Sequence, residues 1–158
     1  MNKEHVKKRE DYISWSNYFM ELAKLTSKRS KDPSSQVGAC IVNKENKIIS
    51  VGYNGLPNGM NDNDFNWSRN NDFLDSKYPY ICHAEMNAIF NSNQILNLKD
   101  TIIYTTLYPC NECAKLITQS GIKKVIYLGN KYANKPSFIA SKRILESCNI
   151  EVIQFISS

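Results

Sequence analysis

Two short segments hold residue types that could do chemistry together: Cys82-His83-Ala84-Glu85 and Pro109-Cys110-Asn111-Glu112-Cys113. Cys110 and Cys113 sit three apart where a helix is expected to begin, so both sulfurs can face one point. A helix start favours the thiolate, which is the form that binds metal. Taken alone, the pair reads equally as a metal site, a redox Cys-x-x-Cys or two inert buried cysteines. His83 adds an imidazole at the start of another expected helix. A lone histidine is more often structural or solvated, and only the cysteine pair lifts this one. One imidazole and two thiolates suit a tetrahedral zinc with its fourth position left to water. That is the arrangement of a catalytic site rather than a closed structural one. Glu85 is too close in sequence to His83 to be a comfortable co-ligand, but it is placed to take a proton from such a water and pass it to a substrate. Its plainer reading is a carboxylate facing a helix dipole.

The elements that must position these residues can be read from hydrophobic period. Trp15, Tyr18, Phe19, Leu22 and Leu25 recur at helical spacing from about Ser14 to Arg29, and Asp32-Pro33 stops that helix. Residues 37–42 and 47–53 are short β-rich runs joined by Asn43-Lys44-Glu45-Asn46, which reads as a hairpin. Residues 54–80 are rich in Asn, Asp, Gly and Pro with no apolar period, so they read as a long loop of the kind that usually has a function. Helix (84–90), strand (101–107), helix (113–120, ending at Gly121), strand (123–128), helix (137–147) and strand (150–155) then alternate. This predicts one α/β domain, a layered sandwich whose sheet is parallel over its second half and mixed overall.

With 158 residues the chain suits a single domain spanning 1–158. A net charge of +5 is mild, and the basic residues form no sustained stripe interleaved with aromatics. This favours a small anion over a nucleic acid, and a tRNA reader would need a larger contiguous basic face. Five cysteines without an apolar leader after Met1 point to a reducing, cytoplasmic setting, and no run is long enough to cross a membrane. Cys40, Cys82 and Cys148 read as small apolar residues.

His-x-Glu followed by Pro-Cys-x-x-Cys is the known signature of zinc nucleobase deaminases. Beyond it, the chain closely resembles the deoxycytidylate (dCMP) deaminase family from about Asp11 to Ile153. The resemblance is carried by Arg29-Ser30-Lys31-Asp32-Pro33, Gln36-Val37-Gly38-Ala39-Cys40-Ile41-Val42 and Gly52-Tyr53-Asn54-Gly55-Leu56-Pro57-Asn58-Gly59. It continues through Tyr78-Pro79-Tyr80-Ile81-Cys82-His83-Ala84-Glu85-Met86-Asn87-Ala88-Ile89, Pro109-Cys110-Asn111-Glu112-Cys113-Ala114-Lys115-Leu116-Ile117 and Lys131-Tyr132. The resemblance implies a five-stranded mixed sheet in a cytidine-deaminase-like α/β/α sandwich and hydrolysis of dCMP to dUMP for thymidylate synthesis. It also implies a homo-oligomer, typically a hexamer, activated by dCTP with Mg²⁺ and inhibited by dTTP. By motif match, His83, Cys110 and Cys113 would hold Zn²⁺, Glu85 would shuttle protons, Asn54 would contact the sugar, and Tyr132 would close over the nucleotide.

Other assignments rest on the residues themselves. The backbone at Ala84 is expected to fix the pyrimidine edge, because a helix start offers free N–H donors. Arg29 and Lys131 are the candidates for the substrate phosphate, ahead of Lys31. Gly55 and Gly59 would let backbone approach an effector's phosphates. The chain departs from animal members at Ala133-Asn134-Lys135-Pro136, where a His-Asp continuation is usual. Two other readings compete. One keeps the chemistry on a nucleoside, a guanine-type base or an adenosine in tRNA. The other is a structural zinc module, which would need a closed four-ligand site.

Overall fold

The structure is a computed structural model describing residues 5–70, 72–93 and 98–157. Ser14 opens the first helix by accepting the Asn17 N–H at 3.2 Å, and α1 runs Trp15–Ser27. Strands β1 (Gly38–Val42) and β2 (Ile48–Tyr53) form the expected hairpin. The Asn43 side chain closes its turn by accepting the N–H groups of Glu45 and Lys47. Then follow α2 (Ala84–Asn91), β3 (Ile102–Leu107), α3 (Asn111–Ser120), β4 (Lys124–Gly129), α4 (Pro136–Ser147) and β5 (Glu151–Gln154).

The five strands form one sheet in the order β2-β1-β3-β4-β5. β1 is antiparallel to both neighbours, whereas β3, β4 and β5 are parallel. Alternate residues of β1 face opposite layers. Cys40 and Val42 meet Phe19, Met20 and Ala23 of α1 on one face. Ala39 and Ile41 join Ala84, Ala88, Ile89, Ala114, Ile117 and Leu145 on the other. The expected three-layer sandwich with a mixed five-stranded sheet is what the chain forms. Among the described residues no helix is long and apolar enough to cross a membrane. Cys40 is fully buried in the α1 layer, and burial pushes its thiol up to about 12, as befits an apolar core residue.

One boundary differs in a way that matters. The sequence predicts the third helix from Cys113, but α3 starts at Asn111 and makes Cys110 its N-cap. Cys110-Asn111-Glu112 carry no apolar period, so the hydrophobic pattern begins only after the helix does.

The long segment after β2 contains a single 3₁₀ turn at Phe73–Asp75 and is otherwise irregular. Two anchors tie it down. Gly55 and Cys82 form an isolated antiparallel bridge, with N–H···O distances of 3.0 and 2.8 Å. Lys77, buried, donates to both carboxylate oxygens of buried Asp32, at 2.6 Å to Oδ1. Asp32 Oδ1 also accepts the N–H groups of Ser34 and Ser35, at 2.8 and 3.2 Å. With its carboxylate satisfied in this way, the pair is a tolerable buried charge. Removing either partner would strand the other.

The α2 layer owes its position to Gly52. A Cβ there would lie 2.2 Å from the Ala88 nitrogen and 2.4 Å from the Ala84 carbonyl oxygen, both rigid helix backbone. Gly52→Ala is therefore expected to cost about 1–3 kcal/mol by overpacking, read as a lower urea midpoint. Bound metal should be lost with it, because α2 carries His83. An unchanged midpoint would show that α2 does not press on the sheet there.

Candidate active site

Two helix starts meet beyond the sheet edge formed by the C-terminal ends of β3 and β4. His83 is the N-cap of α2 and Cys110 the N-cap of α3, and neither side chain caps its own helix. Both are left free to converge. His83 Nδ1 lies 3.3 Å from Cys110 Sγ and 3.4 Å from Cys113 Sγ, and the three donor atoms all fall within 4.8 Å of one another. A tetrahedral zinc with bonds of ~2.0–2.1 Å to nitrogen and ~2.3 Å to sulfur separates N from S by about 3.5 Å. The donor set matches that edge length, so these residues fit a zinc ion without rearrangement.

The charge distribution is asymmetric. The Cys113 hydrogen bond, with help from His83 and against burial, pulls the Cys110 thiol down to about 4. Cys113 is pushed well above the ordinary range by the same hydrogen bond and by burial. The Cys110 hydrogen bond raises the pKa of His83. The three closely spaced donors thus favour a thiolate at Cys110, and a metal would bind the set by displacing the protons that remain on the other two.

Glu85 lies one step inward and is 4% exposed. Its Oε2 accepts from Cys113 Sγ at 3.4 Å, and its Oε1 is 3.0 Å from the hydroxyl of Thr105. Burial raises its pKa, so the carboxyl is suited to holding a proton and giving it up again. The first helical hydrogen bond of α2 runs from the Asn87 N–H to the His83 carbonyl. The N–H groups of Ala84 and its neighbours consequently lie outside the helix ladder. Ala84 itself is fully buried at this start.

Thr105, on β3, was not legible as a site residue. It has one hydroxyl proton and two acceptors within 3.0 Å, Glu85 Oε1 and the Leu107 carbonyl. The sequence signal was present but faint, a fully buried threonine in the apolar strand Ile-Ile-Tyr-Thr-Thr-Leu.

The remaining sequence-derived residues fall in three places. The Asn54 carboxamide accepts from the Val37 N–H at 2.8 Å and donates to the Ser35 carbonyl at 2.9 Å. It braces two loops. Gly55 and Gly59 line a cavity of about 200 Å³ with Lys31, Pro57, Asp62 and Trp67. Gly59 has a positive φ of 93°, and a Cβ at either glycine would meet nothing within 4 Å. Lys131 donates to Ser35 Oγ at 3.3 Å and lies 4.9 Å from the centre of the Tyr132 ring. Arg29 is elsewhere. It sits 6.0 Å over the Tyr53 ring, in a groove with Leu25, Val51 and Asn91 that includes none of the donor set. Arg29 and Lys131 thus lie against different partners, Arg29 over Tyr53 and Lys131 beside Ser35 and Tyr132.

Thr105→Val, which keeps the shape and removes the hydroxyl, is expected to lower kcat about tenfold while KM and metal content stay near wild type. An unchanged kcat would remove Thr105 from the site.

Comparison with known proteins bears on this geometry. The cytidine and deoxycytidylate deaminase zinc-binding region matches residues 13–129. The chain is 50% identical over 157 residues to the deoxycytidylate deaminase of Homo sapiens, covering 99% of this chain and 88% of that one. It is 51% identical over 150 residues to the deoxycytidylate deaminase of Mus musculus, covering 94% and 84%. Among solved structures, the dCMP deaminase of cyanophage S-TIM5 in complex with dCMP and dUMP superposes with a TM-score of 0.69 at 28% identity, covering 88% of this chain and 95% of that one. The donor set and buried carboxylate thus lie within a match that spans most of the sequence, and the chain belongs to the cytidine and deoxycytidylate deaminase family.

Proposed function

We propose that the chain hydrolyses dCMP to dUMP and ammonia at the site built by His83, Cys110, Cys113 and Glu85. The observation that carries this reading is the buried Glu85 carboxyl 3.4 Å from Cys113 Sγ, beside a donor set of zinc dimensions. Support for dCMP as substrate comes from the deoxycytidylate deaminases to which half the residues are identical, and from the phage enzyme bound to dCMP and dUMP.

His83 Nδ1 and the sulfurs of Cys110 and Cys113 would hold the zinc. When bound, it supplies a Lewis acid that makes water nucleophilic near neutral pH. Glu85 accepts a proton from the attacking water and delivers it to ring N3, which makes C4 electrophilic. Oxygen bonds to C4, the same carboxylate then takes the second proton from the new C4 hydroxyl and passes it to the exocyclic amino group, and the C4–N bond breaks to release ammonia and leave the C4 carbonyl of dUMP. Thr105 holds Oε1 so that the carboxyl keeps one orientation through both transfers. The free N–H donors at Ala84 face the pyrimidine edge, and Asn54 offers its remaining lone pair to a sugar hydroxyl. Tyr132 covers the nucleotide, with Lys131 at its phosphate. Arg29 is set aside from this role because of its place over Tyr53.

The cavity at Gly55 and Gly59 is our candidate for dCTP with Mg²⁺, opposed by dTTP. Space over both glycines leaves room for phosphates to approach the backbone. A homohexamer supplying dUMP for thymidylate synthesis is the setting that the family resemblance implies, and the cysteine content favours a reducing, cytoplasmic one.

Ammonia release from dCMP, deoxycytidine, CMP and a tRNA substrate, each with and without dCTP and Mg²⁺, tests the reading. The expected result is strong preference for dCMP, increased by dCTP. Turnover of another substrate with dCMP inert would keep the chemistry and overturn the assignment of the pocket.

A further inference from the structure

A basic cluster that the sequence does not announce surrounds Tyr132. Lys135 Nζ lies 4.4 Å from the centre of its ring and Lys131 Nζ 4.9 Å. Phe138 packs against the same ring at 5.5 Å and fixes it. From the long segment, Arg69 donates through Nε to the Tyr78 hydroxyl at 3.2 Å. Burial works against ionisation of Tyr132, yet its phenol titrates below the ordinary range, because Ser35, Lys131 and Arg69 stabilise the phenolate. The Tyr78 bond fixes Arg69 on the segment that leads into His83, and its charge favours the Tyr132 phenolate across 63 positions of sequence.

No ion pair among the described residues involves Arg69, Lys131 or Lys135. Three cations held close together without a carboxylate repel one another, which is a cost the fold bears for no structural return. α4 begins just after Lys135 with no acidic residue in its first turn, so its dipole adds positive potential at the same place.

The topology places this cluster next to the reaction. β3 and β4 are parallel neighbours. Cys110 follows the C-terminal end of β3 and Lys131 the C-terminal end of β4. The Tyr108 N–H bonds the Gly129 carbonyl at 2.8 Å and ties the two loops together. Ligands of such sheets bind outside the carboxyl ends of the strands. Tyr78 lies on the segment that leads into His83, and Ser35 is held by Asn54.

We propose that Arg69 and Lys135 join Lys131 around Tyr132 as the seat of the substrate's 5′-phosphate, and so decide that a nucleotide rather than a nucleoside is deaminated. The inference rests on the dCMP reading above and adds the residues that enforce it. Arg69 offers the planar fork suited to phosphate oxygens, and the two lysines act as point charges.

The test is kcat/KM for dCMP and for deoxycytidine with Arg69→Gln, Lys135→Gln and the double variant. All three side chains are exposed, so the fold should tolerate the changes. Each single variant is expected to lower the dCMP to deoxycytidine ratio about tenfold or more, mainly through KM for dCMP, with Arg69→Lys recovering part of the loss. An unchanged ratio in the double variant overturns the proposal. So does a change confined to dCTP activation, which would give the cluster to the effector. A wild-type enzyme inert toward dCMP would instead sink the functional reading on which the seat depends.

Discussion

The whole site depends on two helix starts being pressed to one point. α2 lies so close to β2 that only glycine fits at position 52. α3 begins at Asn111 with Cys110 as its N-cap, directly beyond the end of β3. These two constraints bring an imidazole nitrogen to 3.3 and 3.4 Å from two sulfurs. Both N-termini aim their dipoles at the meeting place, where the dipoles favour thiolate and carboxylate. The helices therefore supply the ligands and much of the electrostatic bias. The sheet between the layers makes the arrangement rigid, with Ile41, Ile103 and Val125 fully buried.

Around this fixed centre the chain arranges less regular parts. The long segment after β2 has little secondary structure of its own, and the Gly55–Cys82 bridge and the Lys77–Asp32 pair hold it. Each anchor has one end, Cys82 or Lys77, within six residues of His83 on the chain. Asn54 stands between them, bonded to Val37 and Ser35 and 3.5 Å from Asp32. The wall of the glycine-lined cavity, the loop before β1 and the entry to α2 are thus mechanically one unit. Anything that displaces the segment at Gly55 is felt at Cys82, next to a metal ligand. For the effector proposed at that cavity, this continuity would supply a physical route to the reaction centre.

Much of this was legible because the signals are local. His83, Glu85, Cys110 and Cys113 occupy helix starts, where spacing alone fixes which side chains can meet. The strands and helices followed from apolar period, and the mixed sheet from a hairpin followed by alternating elements. What the sequence concealed was long-range. Thr105 reaches Glu85 only through the placement of β3 beneath α2, and Lys77 finds Asp32 across 45 residues. Arg29 read as a candidate for the phosphate because a substrate phosphate needs a basic partner, and the structure lays it over Tyr53. Arg69 sits in a segment without period, so nothing in the sequence tied it to Tyr132. The early start of α3 was hidden because Asn111 and Glu112 are polar.

In the proposed reaction Glu85 moves protons beside a zinc held by His83, Cys110 and Cys113. Zinc content and ammonia release from dCMP, measured on the same preparation of Glu85→Gln, test it most directly. The account predicts stoichiometric zinc retained and turnover reduced by about 10²–10⁴-fold. Near-normal turnover with zinc in place would contradict it, because the proton would then be moving by another route.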